Sequence, residues 1–117
     1  MFEVEKIFSF EAGHELPDHG GKCAYPHGHS YVVHVCVRAE TLSEEGMVVD
    51  FSDISSVVQP MIETYFDHKW LNDSLNMKNT TAENIAHWIY SYVKPKLRGL
   101  YKVRVYETAR CCASYYE

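Results

Sequence analysis

Three histidines carry the first chemical signal in this chain. His27 and His29 are separated only by Gly28, and His14 lies upstream at the end of an alternating segment. In extended backbone, residues i and i+2 point the same way, so His27 and His29 can aim both rings at one point. A hairpin would bring His14 alongside them. Three imidazoles from two neighbouring strands leave a fourth position open, which is the donor pattern of a catalytic zinc. A structural zinc more often takes four closed ligands, mostly Cys. Neutral imidazole binds zinc well near pH 7, and such a metal acts as a Lewis acid on a substrate oxygen. The competing reading is three unrelated polar loop histidines.

Other residues could join this chemistry. Cys23 sits four residues before His27. It could be a fourth ligand, an inert packed thiol, or a thiolate made reactive by a nearby cation. Asp67-His68 places a carboxylate beside an imidazole. Sequence neighbours do not face each other in regular structure, so the pair needs a turn, and the alternative is a polar loop. Glu107 extends an apolar row at a strand end. A carboxylate on a buried face is costly unless paired, and such groups often bind ligands with N–H donors. The alternative is a strand-end side chain reaching solvent. His19, His34 and His87 fall off these rows and read as solvated. Cys36, Cys111 and Cys112 have no such company and read as plain thiols.

The elements that must position these groups follow from periodicity. Residues 2–14 alternate, with Phe8, Phe10, Ala12 and His14 on one parity, as a half-buried strand does. Pro17, Gly20, Gly21, Pro26 and Gly28 mark residues 15–28 as a long loop. Residues 29–39 alternate again through Tyr31, Val33, Val35 and Val37. Met47 to Phe51 reads as a short extended piece. Ile54, Val57, Val58, Met61, Ile62 and Tyr65 form a helical stripe, with Ser52 as N-cap and a kink expected at Pro60. Residues 67–79 read as a polar loop. A second helix starts at Thr80 or Thr81, where Thr80-x-x-Glu83 has capping-box spacing, and Pro95 stops it. Strands follow over 100–107 and near 111–116. The order β-β-α-α-β-β implies an α+β fold, with two helices on one face of a four-stranded antiparallel sheet.

Composition bounds the function. The 117 residues allow one domain, 1–117. The formal charge is −5 and no basic run exists, which argues against nucleic acid as the main partner. No apolar run approaches a membrane span, and the first ten residues do not read as a signal peptide. The four cysteines, of which Cys111 and Cys112 are adjacent and could not easily bridge each other, make no disulfide framework, and a cytoplasmic setting is expected.

These motifs together are similar to a known family. Phe8-Ser-Phe-Glu-Ala-Gly-His14, Cys23-x-x-x-His27-Gly-His29, Gly46-Met-Val-Val-Asp50-Phe51, Asp67-His68-Lys-Trp-Leu71-Asn72, Ala82-Glu83-Asn84 and Val105-Tyr-Glu107-Thr108 occur in the order of the 6-pyruvoyl-tetrahydropterin synthase family. The resemblance runs from Phe8 to Glu117. It implies the tunnelling fold, in which the sheets of three chains close into a barrel and two trimers stack as a homohexamer. It implies zinc on His14, His27 and His29, and active sites between subunits. Cys23 would be the proton-abstracting base, with His68, oriented by Asp67, as its relay partner. Glu107 would hold the pyrimidine edge of a pterin, and Thr81 matches a position near it. Many relatives have Pro where Thr80 stands, which changes how the second helix begins and leaves the catalytic set intact.

The resemblance also bears on which reaction is expected. Three residues separate Cys23 from His27, as in the bacterial 6-carboxytetrahydropterin synthase branch of queuosine biosynthesis, and Asp50-Phe51 fits that branch. The 6-pyruvoyl branch usually has a longer gap. Leu100 to Thr108, in contrast, is similar to the animal 6-pyruvoyl branch. The expected activity is a zinc-dependent lyase. It would convert 7,8-dihydroneopterin triphosphate to 6-carboxy-5,6,7,8-tetrahydropterin, releasing acetaldehyde and triphosphate. The alternative is elimination of triphosphate to a 6-pyruvoyl product. A non-catalytic zinc- and pterin-binding oligomer is the third reading.

Overall fold

The computed structural model describes all residues 1–117. Strand β1 (Phe2–His14) and strand β2 (His27–Ala39) form a long hairpin. Helix α1 (Phe51–Tyr65), a single helical turn α2 (Leu71–Ser74) and helix α3 (Ala82–Val93) follow, then strands β3 (Leu100–Thr108) and β4 (Cys111–Tyr116). The four strands make one antiparallel sheet in the order β1-β2-β3-β4.

Alternation explains why one face of this sheet is covered. Phe8, Phe10, Ala12, Tyr31, Val33, Val35, Val37, Leu100, Val103 and Val105 are all buried. The helices bring Ile54, Val58, Met61, Ile62, Ile85, Ala86, Ile89 and Val93 against them. Each fully buried Val, Ile or Leu is worth about 1.5–3 kcal/mol relative to exposure, so this layer dominates stability. The other face carries cross-strand polar pairs: His34 Nδ1 on Glu5 Oε1 at 2.7 Å, the Ser30 hydroxyl on Glu11 at 2.7 Å, and Arg104 Nε on the Ser114 hydroxyl at 3.1 Å. A one-sided antiparallel sheet shows this division. No helix is long and apolar enough to cross a membrane.

Several local expectations change. Helix α1 begins at Phe51, so residues Met47–Phe51 form no strand, and the N-cap is Asp50, whose carboxylate accepts from Ser52 N at 2.8 Å. Asp50 sits before the first helical turn, where its carboxylate reaches a free N–H. Strand β2 starts at His27 rather than His29. The Thr80-x-x-Glu83 box does not form. Thr81 is the N-cap of α3 and its hydroxyl accepts from Asn84 N at 3.1 Å, while Thr80 is buried. Segment 67–79 is no plain loop: it contains α2 and buries Leu71 and Leu75. Asp67 and Asn72 are directed to backbone groups of Glu11 and Glu15, so periodicity does not reveal them.

That segment forms a strap along the outer edge of β1. The Glu11 N–H donates to Asp67 Oδ1 at 3.1 Å, and His68 N donates back to the Glu11 carbonyl at 2.6 Å. The Gly13 N–H reaches the Lys69 carbonyl at 3.1 Å, within a parallel bridge to Trp70. The strap thus satisfies the edge of the last turn-ward residues of β1 and leaves its first residues unpaired.

Candidate metal centre and surrounding clefts

Strand register assembles the histidines. His14 pairs directly with His27 across the β1–β2 ladder, and His29 lies opposite Ala12. Directly paired and diagonal neighbours on one face of a ladder are within reach of long side chains. The ring centroids of His14 and His27 are 4.5 Å apart, those of His14 and His29 5.1 Å, and those of His27 and His29 5.0 Å. One ligand atom from each of the three lies within 4.8 Å of the others.

The rings are held in the form a metal needs. His14 is fully buried, and its Nδ1 lies 2.9 Å from the Thr80 carbonyl and 3.1 Å from the Thr80 hydroxyl. A carbonyl only accepts, so the ring hydrogen sits on Nδ1 and the lone pair on Nε2 faces the cluster. His27 does the same through the Tyr25 carbonyl, 2.8 Å from its Nδ1. The Nε2 atoms of His14 and His29 are buried with no hydrogen-bond partner. Two orphaned buried ring nitrogens in one cluster are expensive unless something binds them. Burial also pulls the His14 pKa down to about 4, against the raising effect of the Thr80 bond. Burial lowers that of His29 too, opposed by the Glu107 charge. Burial thus favours the neutral, ligating form of His14 and His29. This donor set fits zinc with one position left open.

Glu107 stands beside this group. Its Oε2 is 3.6 Å from Nε2 of both His14 and His29, and its side chain is 26% exposed. That approach is too long for a hydrogen bond. The carboxylate is free to take other donors. Its position at the end of β3, next to His29 on β2, matches the interrupted apolar row of the sequence.

Asp67 and His68 come together in the turn that their adjacency demanded. Asp67 uses both oxygens: Oδ1 accepts from Glu11 N, and Oδ2 lies 3.0 Å from His68 Nδ1. The Glu11 backbone bond, with His68, holds the Asp67 carboxyl below its usual range. His68 has φ 57°, a left-handed conformation unusual for a non-glycine residue. Its side chain is 79% exposed, at the rim of an open cleft of about 640 Å³ shared with His27, His29 and Trp70. A second cleft of about 600 Å³ lies across His29 and is lined by Glu107, Tyr106 and His34. Gly28 and His29 line both openings.

Cys23 lies in a short 3-10 turn, Lys22–Ala24, tied to the segment just after β1 by Leu16 N on the Cys23 carbonyl at 2.9 Å. It is half-buried, and it is not among the three clustered donors. Within one chain it makes no hydrogen bond to His68. Thr81 serves as the helix cap already described. His34, expected to be solvated, is instead paired with Glu5, while His19 and His87 are exposed. The residues that sequence reasoning missed are Thr80 and Asn72. The only signal for Asn72 was its place at the end of the Asp67-to-Asn72 motif.

Comparison with known proteins gives consistent relatives. The family model described as 6-pyruvoyl tetrahydropterin synthase matches residues 3–117. A 6-carboxy-5,6,7,8-tetrahydropterin synthase of Synechocystis sp. is 42% identical, over 99% of this chain and 94% of that protein. The protein of the same description from Haemophilus influenzae is 30% identical over the whole of both chains. The solved structure of the Caenorhabditis elegans 6-pyruvoyl tetrahydropterin synthase aligns with TM-score 0.89 and 28% identity, over 99% of this chain and 95% of that one.

Proposed function

The chain belongs to the 6-pyruvoyl tetrahydropterin synthase family, and from that premise we propose that it is a zinc-dependent carbon–carbon lyase of the 6-carboxytetrahydropterin type. The substrate is 7,8-dihydroneopterin triphosphate. The products are 6-carboxy-5,6,7,8-tetrahydropterin, acetaldehyde and triphosphate, with one water consumed. The dihydropterin ring gains the two electrons that the side chain gives up, so no external redox partner is needed. The observation that carries the reading is the pair of buried, unpartnered Nε2 atoms of His14 and His29 beside a free Glu107 carboxylate.

His14, His27 and His29 would hold the zinc, which supplies Lewis-acid polarisation of substrate oxygens. Glu107 accepts the ring N–H and amino donors of the pterin edge and so fixes its orientation. Cys23 takes a proton from the side chain. His68, aligned by Asp67, passes protons between side chain and ring. Thr81 lies near the pterin through its place at the start of α3. Cys23 and His68 share no hydrogen bond within one chain, and in the proposed homohexamer a neighbouring subunit would complete the pair. The unpaired edges of β4 and of the first half of β1 are available for that assembly. Such a reaction would serve queuosine biosynthesis, in the cytoplasm.

A second reading, elimination to the 6-pyruvoyl product, is favoured by the fit to the Caenorhabditis elegans structure and by the β3 sequence. One incubation separates the two. Zinc-loaded protein is mixed with 7,8-dihydroneopterin triphosphate, and acetaldehyde and pterins are measured together. Acetaldehyde with the 6-carboxy product is expected. A pyruvoyl product without acetaldehyde would overturn the carboxy assignment. Pterin binding with no turnover would leave the third reading, a binding protein.

A further inference from the structure

The ring of His14 is aimed by a residue 66 positions away, so whatever holds Thr80 in place also sets the geometry of the cluster. Thr80 lies in no regular element; it precedes α3 and is fully buried. Its own hydroxyl has only long contacts beyond His14, 3.4 Å to the Glu15 carbonyl and 3.5 Å to Asn72 Oδ1. Beside it, Asn84 Nδ2 donates to the Asn79 carbonyl at 2.9 Å, and three short bonds from one side chain tie the approach to Thr80 to the residue after His14. Asn72 Oδ1 accepts from Glu15 N at 2.9 Å. Its Nδ2 donates to the Glu15 carbonyl at 2.9 Å and to the Lys78 carbonyl at 2.9 Å.

We propose that Asn72 is the positioning residue of the histidine cluster, its carboxamide joining the residue after His14 to the residue two before Thr80 and so fixing the bond between them. The inference rests on the metal-centre reading above. The carboxamide pairs with Glu15 as a peptide group of a further strand would, one donor and one acceptor on one residue. The third bond carries that registry to Lys78. A side chain with three backbone partners from two segments determines where the segments sit relative to each other. His14 Nδ1 can meet the Thr80 carbonyl only at the distance this bridge sets. The bond in turn fixes the ring tautomer and direction, which tunes a ligand as much as the ligand's own identity does.

A purely structural Asn72 would affect stability alone, so the test must separate stability from ligation. Asn72→Asp keeps the shape and the acceptor for Glu15 N but loses both donors, and it sets a carboxylate against two carbonyls. Asn72→Ala removes all three bonds. Ser74→Ala is the control: it removes a strap bond, Ser74 hydroxyl to the Tyr65 carbonyl at 2.6 Å, that does not reach His14. Zinc affinity is measured by chelator competition, and the visible spectrum of the cobalt(II)-loaded protein reports donor geometry. Both are read at temperatures where each apoprotein is folded by circular dichroism. The expected result is a zinc affinity lower by about 10–100-fold in both Asn72 variants, with a changed cobalt spectrum. Ser74→Ala should show a lowered melting temperature only. Should Asn72→Ala not fold, Asn72→Asp carries the comparison. Asn72 variants with wild-type affinity and spectrum would overturn the positioning role and leave the metal centre standing. Wild-type protein that binds neither ion would overturn both.

Discussion

Replacing Glu107 by Gln is the sharpest test of how the site divides its labour. The carboxylate lies 3.6 Å from two imidazole nitrogens, close enough to serve either as a fourth ligand after a small movement or as the anchor of a substrate. The amide has the same shape, loses the charge, and turns one oxygen into a donor facing the donors of a pterin edge. Bonds to a charged acceptor contribute about 1.5–3 kcal/mol each. The side chain is only a quarter exposed, so solvent screens little of this. At about 1.4 kcal/mol per tenfold, losing one such bond lowers kcat/KM by about 10–150-fold. Zinc content should not change, because the three imidazoles supply the ligands. The assay is initial-rate kinetics on 7,8-dihydroneopterin triphosphate, with bound zinc measured on the same samples. A kcat/KM within twofold of wild type would refute the anchor. Parallel loss of zinc would show that the carboxylate is a ligand and that the pterin is held elsewhere.

Three further outcomes are expected. Cys23→Ala should keep its zinc and lose turnover by about 10²-fold or more, the usual scale for a proton-transfer group; a normal rate would remove Cys23 from the mechanism. Zinc at a hundred times its dissociation constant should stabilise the apoprotein by about 2.7 kcal/mol. For a chain of this length that is a rise in melting temperature of about 10 °C. His27→Ala should abolish this rise in a thermal scan, and an undiminished rise would place the metal elsewhere. Tyr31→Phe should be neutral or stabilising by about 1 kcal/mol, since the Tyr31 hydroxyl is buried without a partner. A lower melting temperature would show that the hydroxyl is satisfied.

The layers of the fold were legible because their signal is periodic. Phe8, Phe10 and Ala12, then Tyr31, Val33 and Val35, alternate as they must to bury one face, and Ile85, Ala86 and Ile89 recur as a helix must. The His27-x-His29 pair was legible for the same reason. His14 could be added because it continues the buried parity of β1, and the ladder then sets it opposite His27. What failed to show was everything determined by bonds between side chain and backbone. Asp50, Thr81, Asn72 and Asp67 each satisfy particular N–H or carbonyl groups, and no spacing rule says which. Ser52 and Thr80 were reasonable caps by type. They lost to neighbours whose oxygen reached a free N–H better. Segment 67–79 looked like a loop because its order comes from the edge of β1 rather than from its own repeat.

The strap gives this small chain a rigid site without large elements around it. Asp67, Lys69 and Asn72 engage Glu11, Gly13 and Glu15, every second residue of one strand edge. This alternation is what an added strand would supply, here built from one carboxylate, one peptide and one carboxamide. A left-handed His68 persists because it is bracketed: its N–H is held by the Glu11 carbonyl and its ring by Asp67. Conformations of this kind cost about 1–3 kcal/mol and survive only where surroundings over-determine them. The same strand edge therefore holds both the ring of the proposed ligand His14, through Asn72 and Thr80, and the exposed imidazole that would move protons. The spacing between the histidine cluster and His68 is set by strand register, which the folded sheet cannot slip without burying polar residues and exposing Phe8 and Phe10.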